Sequence, residues 1–367
     1  MRDDDFPDDV PPELAGARLT IDLDAVAANW RLLNDRLGKP CAGVVKADAY
    51  GLGLGPVAKT LEAAGCTTFF VALAEEGLRL RRILPAARIF VLTGALPGTE
   101  ALFAAHRLIP VMNTLEQAAD WLAHAPAGTP HALHVDTGMT RLGLPPEELG
   151  SLPAGFTPCL VMSHLACADE AGHALNALQL AAFTEARRRY PAAEASLANS
   201  SGVFLGPDYG FDLGRPGVAL YGGNPTPGAP NPMRQVVTLD ARILQVRRVD
   251  TPRTVGYGAT HQSAGGTRLA TVAAGYADGV FRALSNVGKG ILGDQMVPMV
   301  GRVSMDLIVF DVTAAPAELA RPGQSITLIG RGHTLDAMAA EAGTISYEIL
   351  TSLGHRFART YGGGPTQ

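Results

Sequence analysis

Between residues 41 and 222 the hydrophobic pattern switches period again and again, and this limits the fold more than any other feature of the chain. Eight short β-rich runs can be read: CAGVVKA (41–47), TTFFVALA (67–74), ARIFVLTG (87–94), LIPVM (108–112), HALHVDTG (131–138), FTPCLVMSHL (156–165), EASLANS (194–200) and GRPGVALYG (214–222). Several are separated by amphipathic stretches such as PVAKTLEAAG, TLEQAADWLAHA and LNALQLAAFTEARRRY. Near-continuous apolar strands alternating with helices imply a parallel sheet covered by helices on its faces. Eight units suggest a (β/α)8 TIM barrel. An open doubly wound sheet is the competing layout, and the pattern does not separate the two.

After about residue 234 the pattern changes. ARILQVRRV, TRLATVAAG, GILGDQMVPMVGRVSMDLIVFDV and SITLIG read as strands with tight turns, GDQ marking a hairpin. Helical pattern returns only at TLDAMAAEAG and around ISYEILTSL, and GGNPTPGAPNP (222–232) reads as a linker. The expected organisation is α/β: an N-terminal barrel domain over 12–232, then a β-rich C-terminal domain over 233–367, to which the N-terminal strand 17–23 could contribute.

The composition fits this. Of 367 residues 47% are hydrophobic and 18% charged, enough apolar side chain for a large core. A net charge of −5 and no Lys/Arg block disfavour a nucleic-acid or anionic-membrane partner. The start, MRDDDFPDDVPPEL, lacks a basic segment followed by an apolar one, so no secretory signal is expected. No apolar run is long enough to span a membrane. Cys41, Cys66, Cys159 and Cys167 form no C-x-x-C pair and no metal spacing, which reads as reduced thiols in the cytoplasm.

Chemistry gathers at the ends of the runs. Lys46 closes the first, in GVVKADAYGLG. An amine in a partly desolvated site has a lowered pKa and can form a Schiff base with an aldehyde; a lysine snorkelling out of a barrel mouth is the plainer reading of its position. GLGLGP lacks both the Gly-Lys-Ser/Thr ending of a P-loop and the third glycine of a dinucleotide fingerprint, so it reads as a tight strand-to-helix loop. Asp136 and Arg141 follow the fifth run, His164 the sixth and Asn199, Ser200 and Ser201 the seventh, while Arg215 opens the eighth. A lone histidine at a strand end is usually structural. On a barrel, however, all these positions share one rim. That rim offers an amine for a carbonyl, serine and glycine amides for a phosphate, arginines for ring heteroatoms and an imidazole to pack on a flat ring. Pyridoxal phosphate presents each matching group.

Taken together, VVKADAYGLG, DTGMTRLG, SHLACADE, ANSSG, RPGVALYG, GYG, GYADG, GRVSMD and TISYE resemble the alanine racemases, fold-type III pyridoxal-phosphate enzymes, in the family's order. The likeness runs from RLTIDLDAVAANW (18–30) to YEILTSLGHRFARTY (347–361). The resemblance implies that Lys46 bears the internal aldimine and acts as one catalytic base. It places Tyr50, Ser200, the backbone of Gly217 and Val218, and Tyr347 at the cofactor phosphate. It puts His164 beside the pyridine ring with Asn199 in the same shell, Arg141 at the phenolic oxygen and Arg215 at the pyridine nitrogen. Tyr257 of VGYGATH becomes the second base, Tyr276 and Arg282 line the substrate entrance, and Met305 and Asp306 close the substrate carboxylate pocket. It also implies a head-to-tail homodimer with shared sites, in which the residues of the second domain come from the other subunit.

Racemisation removes a proton from one face of Cα and returns one to the other, so two groups should flank the reacting carbon. Tyrosine is a poor base at its reference pKa of about 10. A nearby cation or donor must lower it, and His164 and Arg215 are the groups available. Arg215 cannot accept a ring proton, which should leave the pyridine neutral and favour racemisation over transamination. One departure stands out. Many members of the family carry a carbamylated lysine seven residues before the arginine of DTGMxRLG, and here that position is His134. No carbamate is expected on it, so an anion such as chloride, a water or another side chain must orient Arg141. The expected activity is interconversion of L- and D-alanine, supplying D-alanine for peptidoglycan. The alternatives are a serine, lysine or broad-specificity racemase, a pyridoxal-phosphate decarboxylase and a cofactor carrier without turnover. Tyr257 with GYADG favours a racemase over a decarboxylase, and the β-rich domain speaks against a carrier.

Overall fold

The computed structural model describes residue 11 and residues 13–364. The chain divides into two compact units: Asp24–Arg234, and the residues up to Leu23 together with Gln235–Gly363.

In the first unit the strands follow one another around a parallel sheet. They are β2 (Gly43–Val44), β3 (Thr68–Val71), β4 (Arg88–Val91), β5 (Leu108–Met112), β6 (Ala132–His134), β7 (Leu160–Met162) and β8 (Glu194–Ser196), each paired with the next. Strand β1 (Ala17–Asp22) lies in the other unit. The order never reverses, so there is no topological switch point of the doubly wound kind. Helices Leu54–Ala63, Ala74–Ile83, Leu115–His124 and Ala174–Arg187 fill connections between the strands. Phe69, Phe70, Val71, Ile89, Phe90, Val91 and Val161 are all buried, as strands covered on both faces require. Phe70 stacks on Phe90 with ring centres 4.7 Å apart.

The eighth run closes the ring with very little strand. Residues 212–216 thread between β8 and β2: Asp212 N–H donates to Ala195 O (3.0 Å) and Arg215 N–H to Ala198 O (2.8 Å) on one side, and Ala42 N–H donates to Gly214 O (2.8 Å) on the other. Only the Cys41–Gly214 pair forms a bridge, and Val218–Tyr221 turns into a 3-10 helix. Pro216 has no N–H to continue a ladder. A Cβ at Gly214 would stand 2.6 Å from Leu37 Cδ2 and 3.0 Å from Cys41 Sγ, so a side chain there would have to push both aside. The result is a (β/α)8 barrel whose last stave is one bridge long.

The second unit is rich in strands. Its spine is β9 (Val237–Val249), which pairs with β1, with Thr267–Val272 and with Ser325–Ile329. Strand β1 also pairs in parallel with Ala358–Gly362. The hairpin read at GDQ joins Lys289–Leu292 to Gln295–Pro298, with Gly293 at φ +62°. Helices Leu335–Glu341 and Ser346–Ser352 complete this unit.

Candidate active site

Lys46 is half-buried just past the end of β2, and the chain after it is unusual. Ala47, Asp48, Ala49 and Tyr50 all lie near φ +52° to +58°, one turn of left-handed helix built without glycine. Such backbone costs roughly 1–2 kcal/mol per residue for L-amino acids, so other contacts must hold it. Ala49 N–H donates to Val45 O (2.9 Å), Leu54 N–H to Asp48 Oδ1 (2.8 Å) and Ala47 N–H to Glu76 Oε1 (2.6 Å). The turn sends the Tyr50 ring inward against Tyr221, with ring centres 4.7 Å apart. Its hydroxyl lies where a Cβ on Gly217 would be, so that position tolerates only glycine. Ser200 Oγ accepts from Gly217 N–H (2.9 Å) and from Ala219 N–H (3.3 Å), which leaves its own proton to donate. Tyr50, Ser200, Gly217 and Val218 are thus brought to one place, a cradle of hydroxyls and backbone suited to phosphate.

Positive charge surrounds the amine. Burial, and then Arg141, lower the Lys46 pKa from its usual value, while Glu76 opposes them. Arg215 is buried and spans the strand ends, donating to Ser196 Oγ and to Ser163 O. No carboxylate pairs with it among the described residues, and burial pushes its pKa down to about 9, still a cation at neutral pH. Burial, then Arg215 and Arg141, push His164 well below the usual histidine range. It is therefore neutral, and of the two groups expected to lower Tyr257 only Arg215 carries charge. His134 is pushed down to about 4, first by burial and then by Arg215, with Asp136 opposing. Asn113 Nδ2 donates to Leu92 O and Val111 O, so Asn113 Oδ1 faces the His134 ring at 3.0 Å and the proton sits on Nδ1.

Arg141 rides on a pinched loop. Asp136 Oδ1 accepts from Gly138 N–H (2.9 Å) and Met139 N–H (2.8 Å), and Leu144 N–H returns to His134 O (2.8 Å). The Arg141 side chain is exposed and makes no hydrogen bond or ion pair among the described residues. Asn199 is engaged at both ends of its amide, giving to Leu165 O (3.4 Å) and accepting from Gly202 N–H (2.9 Å).

The remaining expected residues belong to the strand-rich unit. Tyr257 lies on a 3-10 turn and is 73% exposed. Tyr276 and Met305 sit on neighbouring loops, tied by Tyr276 N–H to Ser304 O (3.0 Å) and Ala277 N–H to Met305 O (3.1 Å). Arg356, which sequence reasoning missed, clasps Asp278 through two bonds (2.6 and 2.8 Å) and holds Asp306 at 2.7 Å. Arg282, on another 3-10 turn, is exposed, as are Met305 and Tyr347. Glu76 was missed too; in ALAEEGLRL its only local signal is that of an acid in a helix's first turn. Nothing local marks Arg356.

A closed parallel barrel with a desolvated amine at its mouth, ringed by unpaired cations beside a hydroxyl-and-amide cradle, defines a class. It is an enzyme that binds a carbonyl-bearing anion at a strand-end lysine. Residues 21–225 match the family described as "Alanine racemase, N-terminal domain", and residues 236–361 match "Alanine racemase, C-terminal domain". A Rhodospirillum rubrum protein named alanine racemase is 56% identical over 361 residues, 95% of this chain and 96% of its own. The solved structure of alanine racemase from Bartonella henselae with covalently bound pyridoxal phosphate superposes with a TM-score of 0.89 at 39% identity, covering 95% of this chain and 99% of that one. The biosynthetic alanine racemase of Pseudomonas aeruginosa gives 0.88 at 32% identity, over 95% and 100%. The chain belongs to the alanine racemase family.

Proposed function

We propose that this chain interconverts L- and D-alanine by moving a proton between two groups, with pyridoxal 5′-phosphate held on Lys46. The observation that carries this reading is Arg215, a buried cation with no acid beside it, on the same barrel as a lysine of lowered pKa. A barrel mouth with three cations and two neutral imidazoles suits an anionic aromatic ligand, and the residues present fit the cofactor group by group. Tyr50, Ser200 and the backbone of Gly217 and Val218 would hold its phosphate, joined by Tyr347. Arg141 would hold the phenolic oxygen and Arg215 the ring nitrogen, with His164 and Asn199 alongside. When bound, the cofactor supplies an aldehyde for the substrate amine and a ring that acidifies the proton on Cα.

The protein's part is to place the proton carriers. Lys46 Nζ, its pKa lowered mainly by burial, takes or returns the proton on one face. Tyr257 Oη serves the opposite face. Its exposure in the single protomer supports its delivery by a second copy, in a head-to-tail homodimer. Met305 and Asp306, the latter held by Arg356, would close the substrate carboxylate pocket, and Tyr276 and Arg282 would line the entrance. Arg215, which cannot accept a proton, would leave the ring nitrogen unprotonated, so that electron withdrawal would be restrained and transamination disfavoured. Four free cysteines fit a reducing cytoplasm, and no helix of the described residues is long and apolar enough to cross a membrane. Supply of D-alanine for peptidoglycan is the use we propose for this activity.

The test is circular dichroism of L-alanine over time with purified protein and cofactor, beside L-serine and L-lysine. Alanine signal should decay to zero far faster than the others, and Tyr257→Phe should lose at least about a hundredfold in rate while keeping the cofactor. Equal decay of all three substrates would mean a broad racemase. No decay at all, with cofactor on Lys46, would defeat the assignment.

A further inference from the structure

Glu76 sits in the first turn of the helix that follows β3, 29 residues beyond Ala47, and is spent wholly on backbone N–H groups. Its Oε2 accepts from Ala72 N–H (2.7 Å) and Leu73 N–H (3.1 Å), anchoring its own loop. Its Oε1 accepts from Ala47 N–H (2.6 Å), the first peptide of the left-handed turn. Two comparable clamps stand elsewhere on the rim. Gln117 takes Asn113 N–H (2.8 Å) and gives to Thr93 O (3.0 Å). Gln179 takes Ala166 N–H (2.9 Å) and gives to His164 O (2.8 Å). Those two meet mixed partners, which an amide serves. Only the clamp beside Lys46 meets three donors, which require both oxygens of a carboxylate.

We propose that Glu76 is a positioning residue for Lys46: its carboxylate pins the peptide that follows the lysine, holds the left-handed turn in place and thereby sets the direction of the amine. The claim deepens the proposed function, on which its catalytic part rests. The strain supports it. Four non-glycine residues in left-handed backbone persist only where surroundings over-determine them, and Glu76 provides the bond at the start of that turn. The charge acts in the same place. Glu76 opposes the lowering of the Lys46 pKa by burial and Arg141, so it keeps the amine from losing its proton too readily. A rival reading is that Glu76 merely caps its own helix.

The experiment uses the full-length holoenzyme and the variants Glu76→Gln and Glu76→Asp. The first removes the charge and one acceptor; the second keeps the charge but is one methylene too short for both anchors. After hydroxylamine has stripped the cofactor, Lys46 is acetylated with acetic anhydride across a pH series and followed by peptide mass spectrometry, with Lys39 and Lys59 as internal references. Arg141 and His164 also bear on this amine and are unchanged in both variants. In Glu76→Gln the Lys46 midpoint should move to lower pH while the references stay. In both variants hydroxylamine should remove the cofactor faster, and kcat should fall about tenfold or more with KM for alanine changed far less. A helix cap alone would also move the midpoint in Glu76→Gln, because its charge acts through space, but it would leave the hydroxylamine rate and kcat of Glu76→Asp, which keeps that charge, near those of wild type. Hydroxylamine rates and kcat within about twofold of wild type in both folded variants overturn the proposal, wherever the midpoint lies. Should Glu76→Gln fail to fold, Glu76→Asp decides by its hydroxylamine rate and kcat. Wild-type protein that neither takes cofactor on Lys46 nor racemises alanine would defeat the proposed function, while the rate at which Lys46 is acetylated well above its midpoint, set by the exposure of the amine and not by its charge, would still judge Glu76.

Discussion

His134 ends the strand that leads into the Arg141 loop, and its ring gives its proton to Asn113. A neutral, buried imidazole offers no stable carbamate, and Arg141 has no anionic partner among the described residues. The same burial makes the residue a source of acid sensitivity. The unfolded chain takes up a proton on His134 near pH 6.5, the folded chain only near pH 4. Between those values the unfolded state binds more protons, so acid favours unfolding; the contribution is intact above pH 6.5 and lost as pH falls to 4. Its size is about 3 kcal/mol. His164, lowered in the same direction, adds to the effect. Urea unfolding across this range should show stability falling with acid, and His134→Asn should flatten the slope. Mass spectrometry of the peptide around His134 should show no carbon dioxide adduct.

The connections between strands are held by polar side chains on the helices that follow them. Gln179, on the helix Ala174–Arg187, is fully buried and bonds Ala166 N–H, His164 O and Thr137 Oγ1 (3.3 Å). Thr137 passes the link to Ser163 Oγ (2.7 Å), and the Ser163 carbonyl accepts from Arg215. Gln179→Ala would strand a buried N–H and a carbonyl next to His164, at about 1–3 kcal/mol. Denaturant midpoints should drop accordingly, and the cofactor should bind more weakly because His164 loses its anchor, as a fluorescence titration would show. Such clamps were not legible in the sequence, since a glutamine two turns into an amphipathic helix looks like surface. The helix Ala74–Ile83 itself was passed over. Its AEEGLRLRRI is mostly polar, and only Gly77 and Leu80 are buried. The strands were readable because burial on both faces leaves them apolar throughout. The eighth run read as a full strand on the same grounds, yet Pro216 and the tight passage at Gly214 reduce it to a bridge.

Strand β1 and the final strand, Ala358–Gly362, pair in parallel across almost the whole length of the chain, and both join the strand-rich unit. That unit leaves Tyr257, Tyr276, Met305, Leu307, Ile345 and Tyr347 open to solvent. Tyr276 and Met305 stand on loops bonded to each other, so part of this exposed apolar surface is continuous, which supports the proposed dimer. The arrangement makes a sharp prediction. Lys46→Ala and Tyr257→Phe should each be nearly inactive alone. Mixed after dissociation and reassociation, they should recover about a quarter of wild-type activity, because half the dimers are mixed and each has one intact shared site. No recovery, with mixed dimers shown by native mass spectrometry, would place both residues of a site on one chain.

Local order along the chain was enough to reveal the strand and helix periods, the change of architecture near residue 234 and the rim on which Lys46, Arg141, His164, Ser200 and Arg215 fall. These follow from near-neighbour rules: side-chain direction repeats every two or every 3.6 residues, and barrel chemistry gathers where strands end. What depends on partners distant in the chain was not legible. No local rule predicts a left-handed turn in Ala-Asp-Ala-Tyr, because the Glu76 carboxylate that helps hold it arrives with another strand. Nothing near Arg215 announces that it will be buried without an acid, or that it will help keep His134 and His164 neutral. Desolvation and charge depend on everything packed around a group, and that neighbourhood exists only once the barrel has closed.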